Sequence, residues 1–169
     1  NIIGRIYKVN ILYGNGTSLL VKKSKWKDKG EGVLCDLGSH IIDILLHLFP
    51  SYKFNYNIVD RNNFENKSPD HVFFKSSNTK IKVYCEASLI NWKNKFTIEV
   101  YGKKGSIHMD GLCKWGTSKL ILRKRKYPSG IPHEKVKKIN SKDPTWKKEH
   151  YIFENLMGVK EMKKELRKS

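Results

Sequence analysis

The chain has 169 residues, 38% of them hydrophobic, with 34 Lys and Arg against 16 Asp and Glu and a formal net charge of +18. That length supports one domain with a real core, and no apolar run approaches the eighteen or so residues that a spanning helix needs. The charge invites a nucleic-acid reading, but only five of the basic residues are Arg, the side chain whose planar fork suits phosphate and base recognition. We therefore expect no specific nucleic-acid partner and no membrane. The lysines, spread along the chain, favour instead the attraction of an anionic small molecule.

The opening Ile6 to Tyr13 alternates and is β-branched, so it predicts a strand, closed by the turn signal Gly14-Asn15-Gly16. A basic loop, "LVKKSKWKDKGEG", leads into a helix over Gly32 to Phe49 that stops at Pro50. Strands are then predicted over Tyr52 to Val59, Asp70 to Lys75, Lys80 to Asn91, Lys95 to Tyr101, Ser106 to Met109 and Lys119 to Lys126. The "DRNNFENKSPD" and "YPSGIPHE" segments read as loops, and "GKKG" at Gly102 to Gly105 as a tight turn. Near the C-terminus Asp143 as N-cap and Pro144 at the first helical position open a last helix, with Trp146, His150, Phe153 and Met157 on one face and Gly158 at its end.

This order predicts an α+β domain: an open, predominantly antiparallel sheet of about six strands with helices on one face. No βαβ repeat, GxGxxG turn or Walker-type loop is present, so no nucleotide-binding turn is expected in these residues. Cys35, Cys85 and Cys113 are widely spaced, without a CxxC; we expect neither a disulfide framework nor a structural zinc site, and a reducing cytoplasm. The chain begins at Asn1, and we expect it to be a piece of a longer or processed protein.

The chemistry-bearing stretch is "GVLCDLGSHIIDILLHLF". At 100° per residue Leu34, Leu37, Ile41, Leu45 and Leu48 form an apolar stripe, while Asp36, His40, Asp43 and His47 gather on another arc. Unpaired burial of those four would be costly, so they are expected at a cleft. Asp36 and His40, one turn apart, can form an acid/base pair in which the carboxylate fixes the imidazole tautomer and favours its protonated form. The same spacing equally describes a plain local helix contact. Two histidines seven apart with one carboxylate match no familiar zinc spacing, and we assign no metal ligands. Ser39 and Cys35 read as packing residues. Trp26, Trp92 and Trp115 each lie beside a Lys, an arrangement suited to stacking on a sugar ring and equally to a core or interface aromatic.

Taken together, "GRIYKV", "WKDKGEGVLCDLGSHIIDILLHLF", "SLINWKNKFTIEVYGKKGSIHMDGL" and "DPTWKKEHYIFE" resemble, in this order, the C-terminal domain of the Gfo/Idh/MocA oxidoreductases. The most specific part is "GEGVLCDLGSHIID", in which Gly32, Asp36, Gly38, His40 and Asp43 stand at the family's spacing; Glu31 departs from a frequent third glycine. The resemblance implies that residues 1–169 are a substrate-binding and oligomerisation domain like the C-terminal domain of glyceraldehyde-3-phosphate dehydrogenase. It implies a separate Rossmann domain that binds most of an NAD or NADP cofactor and carries the family's catalytic lysine. It further implies Asp36 and His40 as the catalytic pair at a hydroxyl of a sugar, nucleotide sugar or polyol, Trp26 and Lys27 as substrate contacts, and a homo-oligomer through the open sheet face. Trp115 is the further substrate-contact candidate, from its own setting. No cofactor-binding residue is expected in this chain, which alone should be inactive. The alternatives are a non-catalytic sugar-binding or assembly module and, behind it, a basic nucleic-acid-binding domain.

Overall fold

The computed structural model describes residues 2–76, 80–140 and 145–156, apart from the side chains of Trp146 and Leu156. Eight strands form one open sheet: β1 (Ile6–Gly14), β2 (Tyr56–Asn62), β3 (His71–Ser76), β4 (Lys82–Ser88), β5 (Lys95–Gly102), β6 (Gly105–Asp110), β7 (Ser118–Lys124) and β8 (His133–Ile139). Their order across the sheet is β2-β3-β4-β1-β5-β6-β7-β8. Only the β1–β4 pair is parallel. The open, mostly antiparallel α+β architecture expected from sequence is the one found, with eight strands in place of about six. β8 is not among the expected strands: its first two residues fall in the loop "YPSGIPHE" and the rest in no predicted element, because "HEKVKKI" as an almost fully exposed edge strand has no apolar alternation to show.

The period of two sorts the sheet into an apolar and a polar face. Val9, Ile11 and Tyr13 of β1 share the first face with Val83, Cys85 and Ala87 of β4, Val72 and Phe74 of β3, and Phe96 and Ile98 of β5, and all are buried. The helical layer covers it. A short helix α1 (Ser18–Lys22) stands where only a loop was expected, its Leu19 and Leu20 exposed and its Ser18 and Val21 buried. The expected long helix is divided into a π-helical turn at Leu34–Gly38 and α2 (Ser39–Leu48). Leu37, Ile41 and Leu45 of the expected stripe are buried with Val33 and Phe49, whereas Leu34 is half-buried and Leu48 is exposed. The wider π turn shifts the phase of the stripe at one end, and the helix runs off the sheet at the other.

Beyond α2 the chain is held by a run of rings rather than by ladder bonds. Phe49, Tyr52, Phe54, Tyr56 and Phe74 follow one another at centroid distances near 6 Å. This is why β2 begins at Tyr56 rather than at Tyr52. The last helix, α3 (Thr145–Leu156), forms as expected and exposes Tyr151, Ile152 and Phe153. The caps assigned to Asp143 and Pro144, and the end assigned to Met157 and Gly158, lie outside the described residues. No helix among the described residues is long and apolar enough to cross a membrane.

Candidate functional site

Two local devices place the polar arc of the helix. Gly32 adopts φ +49°, and a Cβ there would stand 2.3 Å from the carbonyl oxygen of Pro69, so glycine alone lets the chain pass this close and turn into the helix. The next amide, Val33, donates to that same Pro69 oxygen at 2.8 Å. The receiving loop is itself fixed by Asp70, fully buried, whose carboxylate accepts the amides of Phe64, Glu65 and Asn66 at 2.9, 2.6 and 3.1 Å. Upstream, Asp28 accepts the Ser68 amide and hydroxyl at 2.7 and 2.9 Å. The Ser68 amide bond is the main reason its carboxyl sits below the ordinary range, against a smaller opposing effect of burial. The segment between Asp28 and Gly32 is thus pinned at both ends to the loop that ends at Asp70.

This pinning presents Trp26, Lys27 and Lys29 to the start of the helix, where a cleft of about 240 Å³ is lined by these three side chains with Val21, Gly32, Cys35, Asp36 and Leu89. Trp26 is 74% exposed, and the Lys27 ammonium lies over its ring, 5.1 Å from the centroid. Asp36, His40, Asp43 and His47 are all exposed, which agrees with the cost of burying them. Asp43 and His47 do not reach this cleft. They stand at the rim of an apolar hollow of about 630 Å³ over the outer strands, with Ile107, Met109 and Leu120 in its floor.

His40 faces the other side of Asp36. Its ring packs at 6.0 Å on Tyr13, which meets Phe96 edge-on at 5.4 Å and Trp115 at 5.8 Å. The Lys114 ammonium donates to the Tyr13 hydroxyl at 3.3 Å. Trp115 is half-buried against the core, so it supports this ring cluster more than it offers a free face. The structure therefore gathers Trp26, Lys27 and Asp36 at the cleft and His40 and Trp115 around Tyr13, with the Asp36–His40 turn as the join.

The hydrogen bond expected between Asp36 and His40 is not formed: among the described residues neither a hydrogen bond nor an ion pair links them. The π turn ends at Gly38, between the two, and breaks the simple one-turn register of an α-helix. The carbonyl of Asp36 instead accepts the Ser39 hydroxyl at 2.9 Å. Sequence reasoning missed Tyr13 and Lys114. Tyr13 was within reach, since it continues the inward phase of Val9 and Ile11 to the end of the strand that points at the helix. Lys114 carries no such signal.

A family model described as the oxidoreductase family, C-terminal alpha/beta domain (GFO_IDH_MocA_C), matches residues 1–157. The search of curated protein sequences gave no significant match. Among solved structures, a super-repressor mutant of Gal80p from Saccharomyces cerevisiae aligns over 83% of this chain and 42% of its own, at TM-score 0.62 and 21% identity. An inositol dehydrogenase homologue from Azotobacter vinelandii, complexed with NADH and myo-inositol, aligns over 81% and 35% at TM-score 0.62 and 17% identity. A levoglucosan dehydrogenase complexed with NADH aligns over 85% and 41% at TM-score 0.62 and 19% identity. These likenesses show a shared fold, and this chain spans well under half the length of each of the three structures.

Proposed function

The chain belongs to the Gfo/Idh/MocA oxidoreductase family as its C-terminal α/β domain, and from that premise we propose that it supplies the acid/base and substrate-binding side of an NAD(P)-dependent dehydrogenase acting on a hydroxyl of a sugar, nucleotide sugar or polyol. The observation that carries this reading is the exposure of Asp36 and His40 on either side of the end of the π turn, with Asp36 in the wall of a cleft that holds Trp26 and Lys27. An unengaged carboxylate and imidazole at the edge of a concave surface are what a proton transfer from an alcohol requires.

In this reading a sugar ring stacks on Trp26, with Lys27 donating to a ring substituent. The substrate hydroxyl lies between Asp36 and His40, and a ring nitrogen of His40 takes its proton as the carbinol carbon is oxidised. The Asp36 carboxylate stabilises the imidazolium that results. Tyr13, itself packed on Trp115, backs the imidazole. The turn after β1 offers no cradle for a dinucleotide: Asn15 accepts the amide and hydroxyl of Thr17 at 3.1 and 2.7 Å, and α1 has only five residues. The exposed arc of the helix fits a nicotinamide presented by another domain, which when bound accepts hydride from the carbinol carbon; no residue of this chain is assigned to hold it.

The test is turnover by the full-length protein with NAD and NADP against sugars, nucleotide sugars and polyols. We expect activity that His40→Ala lowers by about a hundredfold to ten-thousandfold, and none from residues 1–169 alone. Wild-type rates in His40→Ala, or turnover by the isolated domain, would refute the assignment. A second reading, a non-catalytic sugar-binding or assembly module, is favoured by the open Asp36–His40 register and by the likeness to a protein described as a repressor. It gives substrate binding without hydride transfer in the same assay. The uncovered sheet face is assigned to a homo-oligomer contact.

A further inference from the structure

The cleft beside Asp36 does not end at Trp26. Lys29 lines both it and an adjoining groove of about 840 Å³, whose walls add Lys22, Lys25 and Lys67. Five lysines thus line two hollows that share Lys29 and that also contain the carboxylates of Asp28, Asp36 and Glu65. Two of those carboxylates are committed to neutral donors: Asp28 to the amide and hydroxyl of Ser68, and Glu65 to the hydroxyl of Ser18. Among the described residues none of the five lysines makes a salt bridge within 4.0 Å. Elsewhere on the surface the opposite arrangement holds, Glu31 pairing with Arg61 at 2.9 Å and Glu134 with Arg123 at 2.7 Å. Asp28 and Glu65 bond to serines, and of the five lysines only Lys67 bears on the Asp28 charge; Lys22, Lys25, Lys27 and Lys29 keep their donors for a ligand.

A neutral polyol gains little from such a surface, whereas an anion is attracted toward it and can take two or three charge-assisted hydrogen bonds on arrival. The placement is also directional. The Lys27 ammonium lies over the Trp26 ring, so a sugar seated against the indole meets Lys27 beside it, and Lys29 lines both this cleft and the groove beyond. Resting on the assignment of this cleft as the sugar site, we propose that its ligand is an anionic sugar, one that bears a phosphate, diphosphate or carboxylate, with Lys27 and Lys29 as the residues that select the charge.

The experiment is calorimetric titration of the full-length protein with UDP-glucose, glucose 6-phosphate, glucuronate and glucose. At least one charged ligand should bind about tenfold or more tightly than glucose at low salt, and the arm that does so identifies the anionic group. The advantage should shrink as ionic strength rises to about 0.5 M, because exposed charges are screened beyond a few ångströms. Lys27→Gln combined with Lys29→Gln should lower the ratio of charged to neutral affinity about tenfold. Glucose binding as tightly as every charged ligand, a ratio unmoved by the lysine substitutions, or no binding by any of the four overturns the proposal. Charged-sugar binding without hydride transfer leaves this inference standing and sinks the dehydrogenase reading; turnover of neutral sugars with no preference does the reverse.

Discussion

His40 leans on a tyrosine ring rather than on its acidic neighbour, and this decides what substitutions around it should do. On the proposed dehydrogenase reading, Tyr13→Phe keeps the ring and loses only the bond from Lys114, so kcat of the full-length protein should change little. Tyr13→Ala removes the backing of the imidazole and should lower kcat by roughly ten- to a hundredfold, the scale expected when a catalytic group drifts by about an ångström. Steady-state kinetics of the two variants separate the cases. Gly32→Ala places a methyl in the Pro69 carbonyl at a backbone conformation alanine resists; a loss of stability above 1 kcal/mol, of order 1–3, is expected in a denaturant titration. At this scale the exposure of Asp36 and His40 was legible because polar side chains stood out in an apolar helix, whereas Trp26 and Lys27 were named through the family resemblance. The geometry between Asp36 and His40 was not legible, since a π turn depends on how the helix meets the sheet and leaves no mark in the spacing of residues.

The strands carry a second polar feature, on the face away from α2. Glu99 accepts the side-chain amide of Asn10 at 3.0 Å and the Tyr101 hydroxyl at 2.9 Å, and its other oxygen lies 3.6 Å from Nδ1 of His108. Nε2 of His108 is 3.1 Å from a guanidinium nitrogen of Arg123 and 2.8 Å from the Ser106 hydroxyl. Arg123 can only donate, so Nε2 accepts and the neutral ring carries its proton on Nδ1. Burial, joined by Arg123, holds the His108 pKa below 6.5 against the opposing pull of Glu99 and Glu134. For Glu99 burial pushes upward, but the bonds from Asn10 and Tyr101 with the nearby His108 leave the net shift downward from 4.5. Both groups then bind fewer protons folded than unfolded. Their stabilisation is complete above pH 6.5 for His108 and above pH 4.5 for Glu99, and is lost as pH falls through the lower folded values. Urea midpoints at about pH 7.5 and about pH 5.5 should differ less in His108→Gln than in wild type. The elements themselves were legible in proportion to their apolar contrast. The central strands stood out, whereas α1, with two exposed leucines, and the polar edge strand β8 did not.

Across the whole molecule the two sheet faces differ in what they leave uncovered. On the face away from the helices Phe73 and Tyr84 stack at 6.4 Å, with Leu12 and Ile121 half-buried along the same surface and Val136 exposed. The homo-oligomer contact implied by the family resemblance would bury these apolar groups. Leu12→Glu with Tyr84→Glu should shift the full-length protein to a smaller species by analytical ultracentrifugation, while its far-UV circular dichroism is retained; an unchanged sedimentation coefficient would remove the assignment. The parallel contact of β1 with β4 sets a further condition. Val9 lies between Val83 and Val100, so β1 stays without its sheet neighbours until the residues from Val9 to Val83 have followed it off the ribosome. Its Val, Ile and Leu side chains are a ready template for wrong pairing in that interval. Expression yield should therefore depend on translation speed and chaperone supply more than native stability would suggest.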